Sequence, residues 1–322
     1  MVVLHGCTQT AAGYDEGSGW SRLADRHGFA LLFPEQQRAN NPNLCFNWFQ
    51  TGDTSRGSGE AASIRAMIVA MVERHDIDPR RVFVTGLSAG GAMAAAMLAT
   101  YPEVFAGGAI IAGVAYGCAS NVPEAFECMA GRGDRGDAAE LGERVRAASP
   151  HKGPWPRISV WHGSADQTVA PGNSEAIVSQ WANVHGLSAN PTLTDRVDDH
   201  PRQVWRGVDG AVVIEHYLVT GMAHGTPLKP GTDEGESGAT GAHMLDAGIS
   251  STDRIAHFFG IAGPGAGVAG VRPAELKSEG TSQSQAVAAP RKSAPWPATK
   301  AVAATGVQKV IEDALKAAGL MR

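Results

Sequence analysis

Gly86-Leu87-Ser88-Ala89-Gly90 is the stretch whose reading decides the fold. It follows the apolar run Val82-Phe83-Val84-Thr85 and precedes the small-residue run from Ala92 to Ala96. Strand, tight turn and helix with a serine at the apex form a nucleophile elbow, whose glycines keep side chains out of a close strand-to-helix packing. Ser88 is thereby lifted clear of the sheet at a helix N-terminus. In a chain with 40 glycines such a pentapeptide also arises as a plain structural turn. The functional reading therefore requires an acid and a histidine later in the chain, each just after a strand.

Both occur, in that order. Ile158-Ser159-Val160-Trp161 reads as a buried strand and runs into the polar loop His162-Gly163-Ser164-Ala165-Asp166-Gln167-Thr168-Val169, which makes Asp166 the candidate orienting acid. The strand Val212 to Val219 is followed by Thr220-Gly221-Met222-Ala223-His224-Gly225, which makes His224 the candidate general base. A serine hydroxyl is a poor nucleophile at neutral pH, so an imidazole must take its proton, and a carboxylate must fix the tautomer of that imidazole. Asp134, Asp137, Asp195, Asp198, Asp199 and Asp209 compete as acids but lie in polar segments without a preceding apolar strand. Among the 11 histidines, His216 lies inside a strand, His243 in a Gly-rich region, and His5 and His162 at strand ends. The order serine, acid, histidine is the one expected of an α/β-hydrolase.

An oxyanion hole is the fourth requirement. Val2-Val3-Leu4 is a short buried strand running into His5-Gly6-Cys7-Thr8-Gln9, where an α/β-hydrolase contributes one backbone N–H; Cys7 is expected to act through its main chain. The second N–H is expected from Ala89, the residue after the nucleophile.

Taken together, His5-Gly6-Cys7-Thr8-Gln9, Asn47-Trp48-Phe49, Arg56-Gly57-Ser58-Gly59-Glu60, Gly86 to Met93, Trp161 to Asp166 and Gly221-Met222-Ala223-His224 resemble the polyhydroxybutyrate (PHB) depolymerase family of esterases, which is related to feruloyl and acetylxylan esterases. The resemblance covers about residues 1 to 260. It implies a serine carboxylester hydrolase without metal or cofactor, acting through an acyl-enzyme on polyhydroxyalkanoates or their oligomers. The rival within the class is a feruloyl, acetylxylan or aromatic polyester esterase. From another class, the chain could be a non-catalytic polymer- or granule-binding protein, a reading that the intact Ser88, Asp166 and His224 oppose. Gln9, Trp48, Tyr116 and Trp161 are candidate substrate contacts with Phe49 beside them, and Arg56 is the candidate for selecting a charged acyl group.

Alternating strands and helices predict a mostly parallel sheet with helices on both faces. Phe29 to Phe33 reads as a buried strand, Glu60 to Arg74 as a helix and Val104 to Val114 as a strand. Residues 114–156 are too long for a simple connection and read as a cap over the site, with a short helix at Pro123 to Met129. The chain opens directly on the oxyanion strand, so either Met1 is a late start or the first strands of the fold are absent, and a sheet missing them would expose an edge. Beyond the catalytic domain (1–260), residues 261–300 read as a Pro/Ala/Gly/Ser linker, and 301–322 as an amphipathic helix with Val307, Val310, Ile311, Ala314, Leu315 and Ala318 on one side, suited to self-docking or a homodimer.

A 43% apolar content suits a buried core, and a net charge of −5 without a basic cluster argues against nucleic acid. No apolar stretch is long enough to span a bilayer, which predicts no membrane partner. Met1 to Leu4 is too short for a signal peptide. Four cysteines show no metal-ligand spacing. Bridges Cys7–Cys45 and Cys118–Cys128 are the favoured pairing, which would place the protein outside the cytoplasm or in the periplasm; four reduced buried thiols and a cytoplasmic location are the alternative.

Overall fold

The chain divides into two units, Met1–Ala266 and Gly267–Arg322. A computed structural model describes residues 1–132 and 136–263, all in the first unit. From residue 264 on, the expected linker and C-terminal helix lie outside the described residues, as does Asp134.

Seven strands form one sheet: β1 (Val2–Leu4), β2 (Phe83–Leu87), β3 (Gly107–Ile111), β4 (Arg157–Gly163), β5 (Leu193–Val197), β6 (His200–Arg206) and β7 (Val212–Val219). Their order is β1-β2-β3-β4-β7-β6-β5, with β1 to β4 and β7 parallel and the β5 and β6 pairings antiparallel. Strands β8 (Thr226–Leu228) and β9 (Met244–Asp246) form a small separate pair. The helices are α1 (Ala11–Ser18), α2 (Trp20–His27), α3 (Thr51–Thr54), α4 (Gly59–Arg74), α5 (Ala89–Thr100), α6 (Val122–Met129), α7 (Ala138–Ala147), α8 (Gly172–Val184) and α9 (Ser251–Phe258).

The parallel strands are apolar throughout because both faces are covered, and their period of two divides the side chains between two cores. Val2, Leu4, Val84, Ile110, Ile158, Val160 and Ile214 join the core built with α4, α5, α7 and α8. Val3, Phe83, Leu87, Ala109, Ile111, Trp161, Tyr217 and Val219 join the core that takes Trp20 and Leu23 of α2 and Ile255 of α9. Helix α5 is buried on every side, which its alanines and glycines permit.

Three sequence expectations change. Phe29 to Phe33 is not a buried strand: β1 is three residues long and offers little ladder to pair with, so Leu32 makes one parallel bridge to Val2 and Leu31, Leu32 and Phe33 stay half-buried. Among the described residues no strand lies outside that bridge. The strand expected over Val104 to Val114 is shorter, Gly107–Ile111, since Pro102 opens a 3₁₀ turn before it. The segment 114–156 is not all cap. Helix α7 within it packs on α8 and sends Leu141 and Val145 into the larger core, started by a capping box between Asp137 and Glu140. The β5–β6 hairpin turns at Asp198-Asp199, both at positive φ, the conformation such a two-residue loop requires.

On β7, burial pushes the Glu215 carboxyl up to about 7, although Ser159 Oγ donates to it at 2.7 Å and is itself held by Trp161 Nε1. The folded state favours the protonated acid. Its contribution to stability is therefore fully present below about pH 4.5, where the unfolded carboxyl titrates, and is lost as pH rises through 7. Thermal melts should show Glu215→Gln losing less stability than the parent between pH 5 and pH 8, by up to a few kcal/mol. Equal losses in the two proteins would contradict this account of Glu215.

Candidate active site

Ser88 stands between β2 and α5 at φ 58°, a strained conformation for a residue with a Cβ. Its own N–H is fixed by Ile111 O at 2.9 Å. The turn is tight enough that a Cβ on Gly86 would lie 2.3 Å from Gly90 O, and one on Gly90 would lie 2.4 Å from Leu4 O. Glycine at these two positions lets α5 press at once on its own strand and on the end of β1, which brings the nucleophile and the loop after β1 to the same place.

Asp166 and His224 leave the ends of β4 and β7, which are neighbours in the sheet. The two loops are tied together: Ser164 N–H donates to Val219 O at 2.9 Å, Ala165 N–H to Met222 O at 3.0 Å, and Gly221 N–H to Ser164 Oγ at 2.8 Å. His224 Nδ1 lies 2.7 Å from Asp166 Oδ2 and Nε2 lies 2.9 Å from Ser88 Oγ. The carboxylate can only accept, so Nδ1 carries the hydrogen and Nε2 is free to accept from the serine. Burial opposes the charge on Asp166. Hydrogen bonds from His162 and His224 and the Val169 N–H nevertheless hold its carboxyl well below the usual carboxylate range. Asp166 is buried and Ser88 is partly exposed, so the acid is kept from water while the hydroxyl can be reached.

The loop after β1 lies against the elbow: a Cβ on Gly6, the residue before Cys7, would lie 3.5 Å from Leu87 O. Among the described residues, neither the Cys7 nor the Ala89 N–H donates to a protein acceptor, whereas Gly6 N–H is taken by Gln9 Oε1 at 2.8 Å and Thr8 N–H by Asn43 O at 2.8 Å. Gln9 thus braces this loop. The sulfur of Cys7 is bonded to Cys45, and Cys118 is bonded to Cys128.

Behind the loop lies a polar network in which the motifs around Asn47 and Glu60 meet. His5 Nδ1 donates to Gly6 O at 2.7 Å and its Nε2 accepts from Gln36 N–H at 3.1 Å. Gln36 Nε2 donates to Cys45 O at 3.0 Å and also to Glu60, which accepts from Asn47 N–H and Asn47 Nδ2, each at 2.8 Å. Burial raises the Glu60 carboxyl and lowers the His5 imidazole. Glu60 is therefore the hub that fixes the Cys45 side of the disulfide, and through it Cys7.

The candidate substrate contacts part company. Trp48 sits edge-on to Phe49 in an apolar patch with Ala92, Val114, Met129, Val169 and the Cys118–Cys128 bridge. This patch lies one helical turn beyond Ser88 and next to the acid loop, and Met129 O accepts from Ala170 N–H at 2.7 Å. Trp161 is not a substrate contact: it is fully buried and stacked on Tyr217 with ring centroids 3.8 Å apart, because its side chain faces the α2/α9 core. Tyr116 packs against the opposite core, its main chain held by Gln180 at 3.0 Å in both directions. Arg56 is committed to Glu103 and Thr100 O and lies over the Tyr101 ring, so it selects no acyl group.

Two histidines that the sequence reading weighed and set aside in favour of His224 lie against Ser88, Asp166 and His224. His162 approaches Asp166, and His243 donates from Nδ1 to His224 O at 3.1 Å with its ring edge-on to the His224 imidazole. No sequence signal marks His243, whose approach depends on the β8–β9 pairing. Among the described residues, no group of three or more His, Cys, Asp or Glu gathers as metal ligands, and no helix is long and apolar enough to cross a membrane.

Known proteins share this sequence and fold. The family model described as "Esterase PHB depolymerase" matches residues 1–202. Poly(3-hydroxyalkanoate) depolymerase C of Paucimonas lemoignei is 50% identical over 264 residues, covering 82% of this chain and 63% of that protein. An acetylxylan esterase of Coprinopsis cinerea is 36% identical over 234 residues, covering 70% and 61%. The chain thus spans about three fifths of the length of these curated relatives. Among solved structures, the acetyl xylan esterase from Aspergillus awamori superposes with a TM-score of 0.65 at 25% identity, covering 81% of this chain and 88% of that one. The chain belongs to the PHB depolymerase esterase family, and its fold is that of an α/β-hydrolase.

The geometry can be tested with a serine-reactive fluorophosphonate, whose attack by Ser88 needs both the imidazole and the N–H pair. Glu60→Ala should slow labelling about tenfold while leaving the protein folded, a fraction of the roughly 10²–10³ lost when an oxyanion donor is removed outright. An unchanged labelling rate would show that the Glu60 network does not position Cys7.

Proposed function

We propose that this chain is the catalytic unit of a serine carboxylester hydrolase acting on polyhydroxyalkanoate polyester or its oligomers. The observation that carries the reading is the continuous hydrogen-bonded line from Ser88 Oγ through His224 to Asp166, accompanied by the N–H groups of Cys7 and Ala89, which have no protein acceptor among the described residues. Ser88 Oγ attacks the ester carbonyl carbon while His224 Nε2 takes its proton. The C=O pair moves onto oxygen, and the resulting anion lies between the N–H groups of Cys7 and Ala89. Collapse breaks the bond to the alcohol, which leaves with the proton from His224. Water then repeats the sequence on the acyl-enzyme, its proton passing to His224 and on to Ser88, and the hydroxyacid departs.

The substrate class rests on two supports: the 50% identity to a protein named as a poly(3-hydroxyalkanoate) depolymerase, and the apolar patch of Trp48, Val114, Met129 and Val169 beside the nucleophile, which suits a short aliphatic acyl group. A second reading, deacetylation of xylan, is favoured by the acetyl xylan esterase superposition over 81% of the chain. The two disulfides support a site of action outside the reducing cytoplasm. A homodimer through residues 301–322 is the accompanying proposal on their amphipathic spacing, which sedimentation of the full chain would read.

Release of 3-hydroxybutyrate from amorphous polyhydroxybutyrate, run beside acetylated xylan and p-nitrophenyl butyrate, decides between these readings. The polymer should be cleaved, and Ser88→Ala should lower the rate by at least about 10⁴-fold. Cleavage of acetylated xylan alone would move the assignment to the second reading, and a rate untouched in Ser88→Ala would refute the mechanism.

A further inference from the structure

Asp166 carries a second imidazole. His162 of β4 is fully buried, with Nε2 2.8 Å from Val169 O and 3.4 Å from Asp166 Oδ2. A carbonyl oxygen can only accept, so Nε2 carries the hydrogen and donates it to Val169 O, with Asp166 Oδ2 within 3.4 Å of the same nitrogen. The carboxylate is thereby held on both sides: Oδ1 accepts from the N–H groups of Thr168 and Val169, each at 2.9 Å, and Oδ2 faces His224 and His162. The other nitrogen of His162, Nδ1, is buried and has no hydrogen-bond partner among the described residues. Such an atom costs about 1–3 kcal/mol, which an apolar side chain in the same space would avoid. Packing therefore does not account for a histidine here, whereas the edge it presents to Asp166 does.

We propose that His162 is a positioning residue of the proton relay: its Nε2–H binds Asp166 Oδ2 and Val169 O together, turns the carboxylate toward His224 Nδ1 and offsets part of the charge that His224 experiences. The inference rests on the hydrolase reading given above. The titratable groups around His162 are Asp166 on the following loop, His224 beyond that carboxylate, and His216 on the same face of β7; β3 is apolar beside it, and from α8 the neutral Ser174 meets His216.

The test compares His162→Gln, whose amide N–H can occupy the place of Nε2, with His162→Asn, whose shorter amide cannot, and with His162→Leu. Each is made in the full chain and assayed on p-nitrophenyl butyrate across pH. In the Asn and Leu variants kcat should fall about tenfold at unchanged KM, as expected of a misplaced relay. Their acid limb of kcat/KM should move up by roughly half a pH unit, because the charge on Asp166 then favours the imidazolium more strongly. The Gln variant should stay close to the parent in both respects. If the Leu variant does not fold, the contrast between Asn and Gln carries the result. Asn and Gln variants with the same pH profile and kcat would overturn the role of His162 while the parent's turnover left the hydrolase reading standing. A parent without turnover would sink both.

Discussion

The hydrogen bond from His224 Nδ1 to Asp166 Oδ2 joins residues 58 apart in sequence, and it exists because β4 and β7 are neighbours in the sheet. The intervening strands β5 and β6 could have separated them. They turn outward instead as an antiparallel extension, leaving β7 beside β4, so that the loops at the ends of the two strands emerge together. A parallel pairing fixes which ends are adjacent, and the short backbone bonds between the two loops then set the acid against the base. Ser88 reaches the same point from β2 by a different constraint, the strained turn at the start of α5.

The loop after β1 is held by other physics. Where the sheet interior is apolar, the support behind the Cys7 loop is a polar network of His5, Gln36, Asn47 and Glu60. Such groups are costly to bury unless each is satisfied, and here each finds partners, which gives the loop one arrangement in preference to many. The Cys7–Cys45 bridge adds a covalent limit to how far that loop can drift. In the proposed mechanism a preorganised N–H pair needs no rearrangement when charge develops, a property that a loop held only by side-chain packing would lack.

The first half of the segment between β3 and β4 completes the site and the second half completes the core. Helix α6 meets the acid loop through Met129 O and brings the Cys118–Cys128 bridge to the patch around Trp48. Helix α7 turns away and packs on α8. One insertion thus borders the apolar patch beside Ser88 while being anchored in the layer that covers the sheet.

Much of this was legible in the sequence because it is local. The glycines flanking Ser88, the apolar runs before Asp166 and His224, and the short strand before Cys7 each report a turn or strand from a few consecutive residues, and their order along the chain points to the fold. Other features depend on which face of an element a side chain takes and on which distant segment comes to meet it. Trp161 lies in a strand buried on both faces, where no alternation of polar and apolar residues says which way it points, so a plausible contact became a core residue. The polar strand β5, with Asp195 paired to Arg202 across the hairpin, carries too little apolar signal to be read as a strand. The sequence by itself determined the tight turn at Ser88 and the order in which Ser88, Asp166 and His224 leave their strands, because backbone stereochemistry and hydrophobic periodicity act over a few residues. Tertiary structure alone decided that Glu60 stands behind the Cys7 loop, that His162 reaches Asp166 and that Trp161 does not line the site, because these follow from pairing and register between segments far apart in the chain.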